Sequence, residues 1–185
     1  MPSQVQVSVG EFEQSLTPEA LRATQIVQIG ILVGPIIFAA IVLAIYSIHS
    51  SDVAAQTDLD LFELLTGLTV CFGLFAFVIG NFLFRRTFSP EAIFEGLSSD
   101  TRSRIADRCV SIQRTAILVR LALLEGASFF GLVICLKGAV SGVLASAPKF
   151  WLNLAPLAAM VLFGLVTFPT KAKLTSWFES RIVNR

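Results

Sequence analysis

The chain has 185 residues, of which 55% are hydrophobic and 15% are charged, and its mean hydropathy is +0.77. A soluble domain carries about 25% charged residues, so this composition favours a membrane protein with several spans. The formal net charge of +1 gives no overall field that would favour nucleic acid. Three widely spaced cysteines and one histidine indicate neither a disulfide framework nor a zinc site.

The first sixteen residues are polar, with a short alternating piece at Val5, Val7 and Val9. They predict a mobile tail or, as an alternative, a small strand that docks on a partner. Because this stretch is polar and acidic, we expect no signal peptide in it. The segment 17–19, Thr-Pro-Glu, then predicts a helix start, with threonine as N-cap and proline at the first helical position.

Four apolar runs predict four membrane spans, at about residues 26–48, 64–84, 115–136 and 152–168. The cytoplasmic loop 85–114 is expected to hold short helices, one of them starting at Ser89. The last of them should continue into the third span as one helix of about 36 residues. The tail 171–185 predicts a helix lying in the membrane surface. The predicted fold is all-α, an integral membrane four-helix bundle in a single domain over residues 1–185.

Positive residues are distributed unevenly between the loops. The loop 85–114 holds six arginines and the tail 171–185 holds four Lys or Arg, whereas the loop 49–62 holds none. By the positive-inside rule, both termini and the basic loop are expected in the cytoplasm. The sequence therefore predicts a multi-pass protein of the bacterial inner membrane, with the basic loop in contact with anionic lipid.

The first and third spans align without a gap at an offset of 92 residues, which places Arg22 on Arg114 and Gly34 on Gly126. Both spans run in the same direction, so the alignment predicts two direct-repeat helical hairpins. Apolar helices also resemble one another by composition alone, and this alternative stays open.

Two charged residues lie inside the third apolar run. Arg120 is about five residues from the cytoplasmic end, roughly 7 to 8 Å deep, from where an arginine can extend to the interface. Glu125 is near the midplane, where an ionisable side chain costs about 2.5 to 3.5 kcal/mol on insertion scales. The two are about 140° apart on a helix, so each is expected to need a partner elsewhere.

The candidate partners are few. Asn81 and Gln28 are candidates for Arg120, and the four residues Glu125, Arg120, Asn81 and Gln28 form a candidate intramembrane polar site. For Glu125 no cation lies at equal depth in another span. Its options are a backbone carbonyl freed by Pro35, Arg120 of a neighbouring subunit, or an exchangeable proton or ion.

Small residues at four-residue spacing predict close helix packing. Gly30 and Gly34 form one such pair, and Ala122–Gly126 and Ala127–Gly131 form two more. The glycines expected at helix contacts are Gly30, Gly34, Gly126 and Gly131.

The string R-x-A-I-L-x-R-x-A-L-L-E-G-A-x-F-F-G-L-V at residues 114–133, with F-P-T at 168–170, resembles a bacterial family of small four-span membrane proteins of uncharacterised function. The resemblance lies mostly in the second half and implies no established activity. A weaker similarity, a carboxylate at the midplane, is to the rotor proteolipid of rotary ATPases. There the carboxylate is on the second helix of a hairpin, whereas Glu125 is on the first.

The sequence contains no phosphate-binding loop, no zinc-protease motif, no nucleophile elbow and no histidine pair for haem. We therefore expect no enzyme, no cofactor and no metal site. The first functional hypothesis is a scaffold or subunit that packs with lipid, with copies of itself or with other membrane proteins. The alternative is a proton- or ion-coupled small transporter or channel subunit that uses Glu125.

Overall fold

The computed structural model of the protein describes residues 8–49, 59–87 and 102–180, and in these ranges the chain forms helices and turns without a strand. The all-α prediction is confirmed. The helices are α1 Val9–Ser15, α2 Pro18–His49, α3 Leu59–Thr87, α4 Arg102–Val140, α5 Val143–Ser146, a 3₁₀ helix Pro148–Leu154, α6 Ala155–Val166 and α7 Lys171–Phe178.

Four helical segments are long and apolar enough to cross a membrane, as predicted, and they indicate a multi-pass membrane protein. They are Pro18–Ile48, Leu59–Leu83, Asp107–Val140 and Pro148–Val166. The fourth combines the 3₁₀ helix with α6. The seven and twelve residues of these two helices rise about 32 Å together, which matches a hydrocarbon core of about 30 Å, whereas neither is long enough alone.

The predicted helix start is confirmed, since the Thr17 Oγ1 accepts a hydrogen bond from the Ala20 N–H at 3.2 Å. Pro35 lies inside α2. The helix α4 is unbroken over 39 residues, close to the predicted length. The short helix expected at Ser89 lies outside the described residues.

The described residues cluster into two compact units, and α2, α3 and α4 each contribute residues to both. The first unit contains residues 8–28, 80–87, 102–120 and 167–180, and the second contains residues 29–49, 59–79 and 121–166.

In the first unit the N-terminal segment is a helix, so the expectation of a mobile tail or strand is wrong for residues 8–16. Ser8 and Glu11 form a capping box, in which Ser8 Oγ accepts from the Glu11 N–H at 3.2 Å and the Glu11 carboxylate accepts from the Ser8 N–H at 2.8 Å. The Phe12 ring stacks on Phe178 of α7 with centroids 4.2 Å apart, and both rings are fully buried.

The helix α7 follows Thr170, whose side chain accepts a hydrogen bond from the Lys173 N–H. It ends at Phe178, and residues 181–185 of the predicted tail helix lie outside the described part of the chain. Leu174 and Phe178 are buried by protein. The apolar side of this helix thus packs inside the first unit, whereas the sequence predicted that it would contact the membrane surface.

The second unit has an apolar core contributed by α2, α3, α4, α5 and the 3₁₀ helix. Its buried members are Val42, Phe62, Leu132, Ile134, Cys135, Ala139, Val143, Leu144 and Phe150. Rings add to the packing, since Phe62 lies 5.5 Å from Phe150 and Tyr46 meets Trp151 edge-on at 5.1 Å. This core fixes the 3₁₀ helix against α3 and α4.

Candidate intramembrane polar site

Arg120, in the first unit, is half-buried and lies across α3 at Gly80. A Cβ built on Gly80 would be 2.9 Å from Arg120 Cγ, so the aliphatic stem of the arginine lies where a side chain at position 80 would push it aside. The aliphatic stem of an arginine can pack against apolar surface in this way. The sequence indicated Asn81 as the partner of Arg120, whereas the close approach of Arg120 to α3 is at the preceding residue, Gly80.

Asn81 and Gln28 also lie in the first unit. Asn81 is half-buried, and within the described residues no hydrogen bond joins it to Arg120. Gln28 is fully buried. A third amide that the site prediction left out, Gln25, donates from Nε2 to the Pro169 carbonyl at 2.9 Å. This bond ties the first turns of α2 to the segment that leads into α7.

Glu125 lies in the second unit on α4 and is half-buried. Over residues 8–49, 59–87 and 102–180 the structure gives its carboxylate no hydrogen bond and no ion pair. The described cations of this unit are Lys137 and Lys149. Lys149 pairs with Glu63 on an exposed surface, and Lys137 is twelve residues further along α4, about 18 Å away. Neither lysine is placed to neutralise Glu125.

The side of α4 that carries Glu125 faces α2. One turn after Glu125, the Phe129 ring reaches to 3.7 Å from where a Cβ on Gly34 would lie. The same ring is 5.9 Å from that of Phe38. Residues four apart share a helix face, so Glu125 lies on the α2 side of α4.

The four predicted packing glycines differ in their surroundings. A Cβ on Gly131 would lie 2.1 Å from the Asn153 carbonyl oxygen, so this glycine allows the 3₁₀ helix to approach α4. Gly34 makes an ordinary contact, and a Cβ on Gly126 would meet one ring atom at 4.0 Å. A Cβ on Gly30 would meet nothing within 4 Å. Of these four, Gly131 alone sits at a contact too close for a side chain.

Two close contacts were not predicted from glycine spacing. Cβ atoms at Gly164 and Gly138 would lie 2.8 Å from Leu32 and 3.0 Å from Leu144, respectively. Gly164 has Met160 and Phe168 at four-residue spacing, so no small pair marks it, whereas Gly138 is followed four residues later by Gly142.

Asn153 is a buried polar residue that the site prediction missed. It is 1% exposed, and its Nδ2 donates to Thr66 Oγ1 at 2.9 Å and to the Phe150 carbonyl at 2.8 Å. Its Oδ1 makes no hydrogen bond with the described residues. A buried amide with both donors satisfied fixes the 3₁₀ helix against α3, which is a structural role.

Among the described residues, no group of three or more His, Cys, Asp or Glu side chains is placed to hold a metal. The cysteines are free, with Cys71 exposed and Cys109 and Cys135 buried. The chemistry available in the second unit at Glu125 is that of a single carboxyl group, which can carry a proton, accept hydrogen bonds or pair with a cation.

Comparison of the chain with protein-family models, with curated proteins and with solved structures found no match.

Proposed function

We propose that the protein is a non-enzymatic membrane protein of the bacterial inner membrane that acts as a scaffold or subunit. It packs through α4 against copies of itself or against other membrane proteins. Both termini and the basic loop 85–114 face the cytoplasm, since this placement follows the distribution of Lys and Arg.

The observation that carries this proposal is the outer face of α4. Ala127 and Gly131 are buried inside the second unit, whereas Ala122 and Gly126, the other small pair on this helix, are exposed. In lipid, helices associate where small residues let their backbones approach, because apolar area alone gives no driving force. An exposed small pair beside Glu125 is therefore a suitable contact for another helix.

The test is the assembly state of purified protein in mild detergent, measured by light scattering, together with tagged-protein capture of membrane partners. Ala122→Leu removes the close approach, and Ala159→Leu is a matched control because Ala159 is an exposed alanine on α6. We expect the wild type and Ala159→Leu to form an assembly and Ala122→Leu to lose it. A monomeric wild type that captures no partner contradicts the proposal.

The orientation is tested separately with reporter fusions in the loop 49–62 and after residue 185. A reporter that is active only in the cytoplasm should work at the C-terminus and fail in the loop. The reverse pattern would contradict the proposed topology without bearing on the assembly.

Membership of the uncharacterised four-span family stays a proposal that rests on the R-x-A-L-L-E-G string at Arg120 to Gly126. It adds no activity to the assignment.

Glu125 favours a second candidate, a proton- or ion-coupled small transporter or channel subunit. The specific observation is that its carboxylate is half-buried near the middle of the span Asp107–Val140 and has no partner among the described residues. Ionisable groups at this depth mark proton and ion pathways in many membrane proteins. Glu125→Gln keeps the size and removes the charge. A scaffold should tolerate it, whereas a transporter should stay folded and lose activity.

A further inference from the structure

The space between α2 and α4 in the second unit is open on its lipid side at one level. Both helices run in the same direction here, because Phe129 packs on Gly34 and Phe38, while further along Val42 and Cys135 share one core cluster. One turn before the Phe129–Gly34 contact lie Glu125 on α4 and Gly30 on α2. Phe129 therefore closes the space at one end, and Glu125 lies at the level of a glycine that has no side chain.

The opening follows from what surrounds Gly30. Gly30 is exposed and a Cβ there would meet nothing within 4 Å. On α4, Ala122 is also exposed, and the Phe129 ring lies one turn beyond Glu125. The groove is thus bordered by apolar residues and is accessible from the lipid. We refer to this space, between Gly30 and Glu125, as the Glu125 groove.

The polar side chain of the Glu125 groove is an acceptor, since the Glu125 carboxylate has no donor among the described residues. The described cations of the second unit, Lys137 and Lys149, lie at helix ends, away from this level. An occupant that complements this carboxylate donates hydrogen bonds or carries positive charge.

We propose that the Glu125 groove binds an apolar organic cation that enters from the lipid. A carboxylate in a low-dielectric setting is stabilised by a paired cation, and apolar walls complement an apolar body around that charge. Since the opening faces lipid, the ligand is one that partitions into the bilayer. This inference rests on the second candidate function and names its ligand class.

The experiment measures binding of radiolabelled tetraphenylphosphonium to the full chain in lipid nanodiscs by equilibrium dialysis. Glu125→Gln removes the charge, and Gly30→Leu fills the groove. Gly67→Leu is the matched control, because Gly67 is exposed on α3 and also has nothing within 4 Å. We expect saturable binding to the wild type and to Gly67→Leu. Glu125→Gln and Gly30→Leu should each weaken binding by about tenfold or more.

Binding to the wild type no greater than to empty nanodiscs overturns the inference, as does equal binding by Glu125→Gln. Light scattering on the same samples separates the two proposals. An intact assembly without cation binding removes the cation inference and leaves the scaffold proposal standing. An assembly lost in Gly30→Leu, with no cation binding in the wild type, shows that a helix occupies the groove and also contradicts the inference.

Discussion

Gly131→Ala is expected to destabilise the protein because the 3₁₀ helix passes too close to α4 for a methyl group. The new Cβ would lie 2.1 Å from the Asn153 carbonyl oxygen and 3.2 Å from Thr69 Cγ2. Carbon–oxygen contacts normally stop at about 3.3 Å, so the two backbones must separate by about 1 Å. Overpacking costs about 1 to 3 kcal/mol and occasionally more.

Against this cost, alanine gains about 1 kcal/mol over glycine in a helix interior. The obstructing atom belongs to backbone, which cannot rotate aside as a side chain can. We therefore expect a net loss of about 2 kcal/mol or more, at the upper end of the overpacking range. The measurement is equilibrium unfolding in mixed micelles of mild detergent and SDS, followed by tryptophan fluorescence.

Gly67→Ala is the control, because Gly67 lies in the interior of α3 and a Cβ there would meet nothing within 4 Å. This variant should match the wild type or exceed its stability by up to about 1 kcal/mol. If Gly131→Ala proves as stable as Gly67→Ala, the close approach of the 3₁₀ helix to α4 is refuted.

Three further variants test other contacts. Phe12→Ala removes a fully buried ring stacked on Phe178, so it should lower the free energy of unfolding by about 3 to 5 kcal/mol and speed proteolysis near the N-terminus. Unchanged proteolysis would argue against the docking of α1. Gly80→Ala meets the flexible Arg120 stem at 2.9 Å, so the unfolding assay should show a loss of about 1 kcal/mol, below that of Gly131→Ala. Asn153→Ala deprives the buried Phe150 carbonyl and the part-buried Thr66 hydroxyl of their donor, and it should cost about 1 to 3 kcal/mol in the same assay. A neutral result would count against this network.

The long helices could be predicted because length and apolar composition determine them locally. The first three runs are longer than the about 20 residues that a bilayer needs, and the fourth, residues 152–168, is at the short end of the range. The N-cap at Thr17 and the proline that follows it mark a helix start. The continuity of α4 through its polar first third followed from apolar residues at helical spacing. The fourth span differs, since its first part is a 3₁₀ helix, and periodicity alone does not distinguish it from an α-helix.

The helix α1 could have been found from the sequence. Ser8 and Glu11 have the spacing of a capping box, and Phe12 and Leu16 are four residues apart on one face. The alternation of Val5 and Val7 indicated a strand instead. What no local pattern reveals is that Phe178, far along the chain, covers this face.

The candidate site was predictable only in part. Arg120 and Glu125 can be identified from the sequence, because they lie deep inside an apolar run and an ionisable side chain there is costly to insert into the membrane. Their surroundings depend on which helices are neighbours, and spacing does not give this. Gly80, which accommodates Arg120, and Asn153, which fixes the 3₁₀ helix, therefore became apparent only in the fold.

The central claim is that the Glu125 carboxyl has no partner among the described residues and is accessible from the membrane. The most direct measurement is infrared difference spectroscopy of the protein in lipid, recorded with and without tetraphenylphosphonium, with Glu125→Gln to assign the carboxyl bands. We predict a Glu125 band that changes when the cation is added and that is absent in the variant. A Glu125 band that stays unchanged on addition of the cation would show a fixed contact and contradict the account.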